Sequence, residues 1–112
     1  MGLRTEIWVQ AYVRRAFAEG AAAYVARRGD ADAGAILIIV SCGAGACLYT
    51  PAPAAGGADE RRWIERTREA ADATGAIAAA VGREASFDPD LWVIEIGDRD
   101  GRHFLGEALE PG

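Results

Sequence analysis

Apolar residues recur at the helical period from Thr5 to Glu19, where Val9, Val13, Ala16 and Phe17 fall on one stripe and Trp8 and Tyr12 widen it. Thr5 stands where an N-cap belongs, Glu6 in the first turn complements the helix dipole, and Gly20 takes the place of a C-terminal glycine stop. The pattern predicts a first helix with Gln10, Arg14 and Glu19 toward water. Ala22 to Arg28 then reads as a strand, closed by the turn chemistry of Gly29-Asp30-Ala31-Asp32-Ala33-Gly34. Every position from Ala35 to Val40 is apolar, which predicts a second strand, Ala35 to Cys42, central in its sheet and covered on both faces. Gly43-Ala44-Gly45-Ala46 turns the chain back into a short third strand, Cys47 to Thr50.

Pro51, Pro53 and Gly56-Gly57 exclude regular structure and mark a loop. Beyond it Arg61 to Arg68 alternates, with Trp63, Glu65 and Thr67 on one side and Arg62, Ile64, Arg66 and Arg68 on the other. This predicts a fourth strand, with a short helix from Asp59 as the alternative. Thr74 to Ser86 reads as a second helix whose large apolar contacts are Ile77, Val81 and Phe87. Gly75 and Gly82 each cost that helix about 1 kcal/mol relative to alanine, so packing must hold it. Asp88-Pro89 stops it, because proline disfavours a helical residue before it. Leu91 to Ile96 follows as a fifth strand with Trp92, Ile94 and Ile96 on one face. Gly97 to Gly101 is a turn, Arg102 to Leu105 returns as a short edge strand, and the tail after Gly106 frays.

In the order α-β-β-β-β-α-β-β these elements predict an α+β fold, an antiparallel sheet of five or six strands with two helices packed mainly on one face. Trp8, Phe17, Ile36, Ile38, Trp92 and Ile94 are the expected core. Neither a repeat nor a linker divides the chain, so residues 1–112 read as a single domain. A domain of this length buries roughly 65% of the surface its unfolded chain exposes, enough for a core without disulfide or metal.

Charge narrows the function classes. The net charge of −5 argues against a general nucleic-acid binder, which needs a basic face to neutralise phosphates. All 12 basic residues are arginine. They double at Arg14-Arg15, Arg27-Arg28 and Arg61-Arg62, while acids collect at Asp30/Asp32, Asp88/Asp90 and Asp98/Asp100, so a local positive patch remains open. No apolar run reaches the roughly 20 residues of a membrane span or the length of a signal peptide. The expectation is a soluble cytoplasmic protein, whose two cysteines stay reduced in that compartment.

Four segments together resemble a known family. They are Gln-Ala-Tyr-Val-Arg-Arg (Gln10 to Arg15), Arg-Arg-Gly-Asp-Ala-Asp-Ala-Gly (Arg27 to Gly34), Arg-Trp-Ile (Arg62 to Ile64) and Phe-Asp-Pro-Asp-Leu-Trp-Val-Ile-Glu-Ile (Phe87 to Ile96). The chain is similar, from Leu3 to Leu105, to a small alphaproteobacterial family known only as a domain of unknown function. The last segment, continued through His103 and Leu105, is the most specific. Ser41 to Cys47 and Arg68 to Ala80 depart from the family's usual text. The resemblance implies one complete domain and carries over no catalytic residue.

No catalytic constellation is legible, and no cofactor or metal is called for. Cys42 and Cys47 flank a four-residue turn, which would set them opposite one another, yet a zinc site wants four ligands and His103 is the single histidine. No lysine or second histidine lies near them to activate a thiol, so both read as reduced, unreactive and dispensable. Gly43-Ala44-Gly45 lacks the third glycine and the following helix of a dinucleotide fingerprint. The aspartate pairs sit where turns want aspartate. Without lysine the Glu-x-Lys of a metal-dependent nuclease cannot be written, and no nucleophile elbow surrounds Ser41.

What remains is arginine. Arg62, Arg66 and Arg68 alternate onto one side of the fourth strand with Trp63 beside them, and Arg27 and Arg28 form a second pair. Guanidinium groups grip carboxylates and phosphates, and arginine and tryptophan are enriched at interface hot spots. Two functions are therefore expected. One is a non-catalytic interaction module that binds a protein partner or a second copy of itself as a dimer. The alternative is a binding or enzymatic domain for an anionic small molecule at the arginine-lined strand face.

Overall fold

The computed structural model describes residues 4–52, 61–70 and 75–111. Its elements run α1 (Thr5–Ala18), β1 (Ala22–Arg27), β2 (Ile36–Cys42), β3 (Gly45–Pro51), β4 (Trp63–Ala70), α2 (Ala76–Phe87) and β5 (Trp92–Gly97). The five strands make one sheet in the order β1-β5-β2-β3-β4. All neighbours are antiparallel except β2 and β5, which run parallel in the register Ile36 to Trp92 through Ser41 to Gly97. The α+β class holds, and so does the element order through β5, with one parallel pair at the centre.

The two helices lie on opposite faces, not mainly on one. Val9, Tyr12 and Ala16 of α1 close over Ile36, Ile38, Val40, Tyr49, Trp63, Trp92, Ile94 and Ile96. Ile77 of α2 closes over Leu37, Leu48, Leu91 and Val93 from the other side. The cause is the central strand itself. A strand that is apolar at successive positions exposes hydrophobic surface both ways, and α1 covers only one of them. Trp92, Ile36, Ile38 and Ile94 are buried as expected.

At its start α1 differs from the expected cap. Arg4 is the N-cap, without a side-chain capping bond, and Thr5 is buried in the first turn. The 29–34 loop does the capping: Ala31 O accepts from the Glu6 N–H at 2.9 Å, and Thr5 Oγ1 lies 3.3 Å from Gly34 O. The C-terminus ends as predicted on Gly20, at φ +97°. Ala21 N–H returns to Ala16 O at 3.1 Å and Gly20 N–H to Phe17 O at 3.0 Å, the paired bonds of a Schellman stop. The buried stripe is Thr5, Val9, Tyr12 and Ala16, which leaves Trp8 half-buried and Phe17 70% exposed. Phe17 lies one helical step of about 100° beyond Ala16, off the edge of that stripe.

The hairpin is tighter than its glycines suggested. Cys42 pairs with Gly45, so Gly43 and Ala44 alone make the turn, and β3 is longer than Cys47 to Thr50. Gly45 is required there, since its φ is +149° and a Cβ would stand 2.1 Å from Glu69 O of the neighbouring strand. Residues 61–70 settle as strand rather than helix, with β4 beginning at Trp63. The loop expected at Pro53 and Gly56-Gly57, the helix alternative from Asp59 and the expected helix start at Thr74 lie outside the described residues.

In α2, Gly75 is the N-cap at φ +92° rather than an interior residue, and Glu69 Oε1 of β4 accepts the Ile77 N–H at 3.0 Å. Ile77 is buried and Val81 half-buried, but Phe87 is 87% exposed: at about 100° per residue it falls outside the stripe of Ile77, Val81 and Ala85 that packs on the core.

The sixth strand does not form. Asp98 accepts the Arg102 N–H at 2.8 Å, and Phe104 takes a positive φ of 58°, so the 98–105 segment coils across the sheet instead of returning along its edge. Tyr12 Oη donates to His103 O at 2.6 Å and pins it there. The tail is not frayed either. A 3-10 turn, Gly106–Ala108, leads to Leu109, which bridges Trp63 in parallel, and Glu110 N–H donates to Trp63 O at 2.7 Å.

Candidate functional site

The two sheet edges differ in kind. β4 carries Glu65, Arg66, Arg68 and Glu69, is kinked by a bulge between its pairings to Leu48 and Tyr49, and is covered at Trp63 by the C-terminal tail. Charges, bulges and covering segments are the usual means of keeping an edge from further pairing. β1 has the opposite character. Ala22 to Val25 is neutral and pairs regularly with β5, and its bulge falls only at Ala26. Among the described residues nothing pairs with its outer side.

Beside that edge runs a groove of about 350 Å³ between α1 and the sheet, in which Val9, Val13, Ala23 and Trp92 are joined by the polar and charged Glu6, Gln10, Arg14 and Arg28. Alternation in β1 aims Ala23 and Val25 into it, as their pairing with the buried Ile96 and Ile94 requires. Tyr24, on the opposite face, is 54% exposed and donates to Glu95 Oε1 at 2.9 Å. That bond to the carboxylate is the main cause raising the Tyr24 pKa. Phe17 and Val25 are exposed apolar residues at the rim. The sequence signal for this site is the neutral run Ala22-Ala23-Tyr24-Val25-Ala26; Phe17, at the helical period, reads as core and does not point to it.

The arginines separate into two groups. Arg27 and Arg28 stand at one edge of the sheet and Arg62, Arg66 and Arg68 at the other. Arg27 Nε donates to Leu91 O at 3.1 Å, and Arg28 pairs with Glu6 and lies over the Trp92 ring at 5.0 Å. On β4 the register passes from Glu65 to Thr67, so Arg66 is the bulged residue and alternation inverts beyond it. Arg68 therefore shares a face with Glu65, and the two form an ion pair at 2.8 Å. Arg62 pairs with Glu110 at 2.9 Å. Trp63 is buried on the α1 side, 5.3 Å from the Trp8 ring.

A second concavity, about 630 Å³, opens at the hairpin end of the sheet, lined by residues that include Cys42, Cys47, Tyr49, Arg68, Asp100 and Gly101. Both cysteines are free thiols. They are not opposite one another, because Cys42 pairs with Gly45 and Cys47 with Val40. Burial, then the neighbouring Cys47 and Glu65, pushes the Tyr49 hydroxyl up to about 12. His103 packs edge-on against Tyr49 at 5.5 Å and accepts the Leu105 N–H through Nδ1, and burial lowers its pKa against the opposing effect of Glu65. Among the described residues no group of three or more His, Cys, Asp or Glu side chains could hold a metal ion, and no helix is long and apolar enough to cross a membrane.

Comparison with known proteins follows the fold closely. The chain superposes on the crystal structure of a DUF1491 family protein from Caulobacter crescentus CB15 with a TM-score of 0.82 and 44% identity, over 99% of this chain and 100% of that one. An NMR structure of a DUF1491 family protein from the same organism gives 0.82 and 45%, over 99% of each chain. The solution structure of protein Atu0922 from A. tumefaciens gives 0.78 and 37%, over 99% of this chain and 98% of that one. No curated protein matches the chain. The family described as protein of unknown function DUF1491 matches residues 3–106. With nearly its whole length inside that match, the chain belongs to the DUF1491 family.

Proposed function

We propose that this chain is a non-catalytic interaction module that pairs with a second copy of itself through the outer edge of β1. The observation that carries the reading is the contrast between the edges: β1 is neutral from Ala22 to Val25 and lies beside a largely apolar groove with charges among its lining, whereas β4 is charged along its length, bulged at its middle and covered by the tail. Strand addition supplies both terms of recognition. Main-chain hydrogen bonds give affinity, and alternate side chains of the incoming strand enter the groove. A second copy suits the edge because antiparallel β1–β1 pairing is self-complementary about a two-fold axis. The anion-binding alternative has less support, since Arg62 and Arg68 are engaged with Glu110 and Glu65 and the bulge divides their common face.

Sedimentation equilibrium at tens of micromolar tests the reading. The parent should sediment at the mass of two chains. Val25→Asp, which puts a charge into the groove, should give the mass of one with an unchanged circular dichroism spectrum. Arg66→Asp, on the opposite edge, should leave the dimer intact. A monomeric parent, or a dimer broken by Arg66→Asp and not by Val25→Asp, would overturn it.

A further inference from the structure

The hairpin-end cavity sets two thiols in an arrangement that suits neither a disulfide nor zinc. Val40 and Cys47 are direct partners across β2 and β3, and Cys42 lies two residues beyond Val40 on the same face. Cys42 and Cys47 are therefore diagonal neighbours, both lining one cavity. Diagonal positions stand about 7–8 Å apart, somewhat less between Cβ atoms. A disulfide needs its Cβ atoms at about 3.5–4.5 Å, so this register does not close one. A metal ion held linearly between two sulfurs sets the two cysteine Cβ atoms further apart than a disulfide does, toward the diagonal spacing. Zinc would want four ligands, and among the described residues no third His, Cys, Asp or Glu joins a cluster here.

We propose that Cys42 and Cys47 form a two-coordinate site for a soft monovalent cation of the copper(I) class. Soft thiolate ligands select such ions over hard divalent ones. The binding step balances simply. Two thiols and one Cu⁺ give a linear bis-thiolate complex of net charge −1 and release two protons. Arg68, the strand partner of Cys47, is the cation among the lining residues of this cavity, where Glu69 and Asp100 are the acids. Its position is fixed by Glu65, which accepts from it at 2.8 Å. Gly101 leaves the site room: Cys42 Sγ lies 3.7 Å from where a Cβ would stand at that position. Cys47 is only 8% exposed and Cys42 is half-buried, so the site is reached from the Cys42 side.

Anaerobic titration with copper(I) delivered as its bicinchoninate complex tests the site. The parent should withdraw one copper per chain, with ultraviolet thiolate-to-copper charge transfer, and Val25→Asp should do the same. Cys42→Ser and Cys47→Ser should each abolish the competition while keeping the parent's circular dichroism spectrum. Arg68→Gln should weaken binding by roughly 10-fold, the scale of an outer-shell contact. Single-cysteine variants that compete as well as the parent, one copper per two chains, or no withdrawal by the parent would each overturn the proposal.

Discussion

Trp63 and Trp92 are both almost fully buried on the α1 side of the sheet, and they differ in one atom's surroundings. Trp92 Nε1 donates to Asp30 O at 2.7 Å, whereas Trp63 Nε1 is buried with no hydrogen-bond partner among the described residues. Replacing either by phenylalanine removes similar apolar volume. Trp92→Phe also orphans a carbonyl of the 29–34 loop, while Trp63→Phe removes a buried donor that gains nothing. Trp92→Phe should therefore cost about 1 kcal/mol more than Trp63→Phe, the net worth of one hydrogen bond, as read from urea unfolding of the two variants. Equal losses would mean that the indole bond to the loop contributes nothing. Sequence could mark both tryptophans as large and apolar, but it could not show which one had found an acceptor 62 residues away.

Most elements were legible because hydrophobic period and glycine or proline punctuation are local signals. The Gly20 stop, the apolar run of β2 and the Asp88-Pro89 break are of this kind. Features set by a distant partner were not. The bulge at Arg66 is visible only in the pairing with β3, so strict alternation along β4 placed Arg68 on the wrong side of its sheet. The missing sixth strand has the same origin, since the Asp98–Arg102 contact and the Tyr12 bond to His103 O coil a segment that alone reads as strand. Glycines show the contrast most directly. Gly82 in α2 has open space where a Cβ would go, whereas at Gly34 a Cβ would stand 2.0 Å from Asp90 O. Gly82→Ala should stabilise the protein by about 1 kcal/mol through helix propensity. Gly34→Ala should destabilise it, because the 29–34 loop that caps α1 must move. Thermal melts of the two variants should shift in opposite directions, and a shared direction would contradict this account.

At the scale of the whole molecule, the C-terminal segment ties the two ends of the fold together through carboxylates. Asp98 accepts from Arg102 at 2.8 and 3.0 Å through the guanidinium and at 2.8 Å through the backbone N–H. Arg102 also donates to Glu19 O at 3.0 Å, fastening the 98–102 turn to the end of α1. These hydrogen bonds from Arg102 hold the Asp98 carboxyl at about 2, below the ordinary 3.8. At the other end of the segment, Arg62 likewise lowers the Glu110 pKa through a hydrogen bond. Both groups are depressed in the folded state, so the unfolded chain binds the proton first. Their stabilisation is complete above the unfolded value and is lost as pH falls. For Asp98 the window runs from about 3.8 down to about 2. Urea unfolding at a series of acid pH values should show stability falling steeply across that window in the parent. Asp98→Asn should be less stable at pH 7 and fall less steeply in acid, and adding Glu110→Gln should flatten the profile further. A parent profile unchanged by Asp98→Asn would show that the carboxylate does not hold the C-terminal segment.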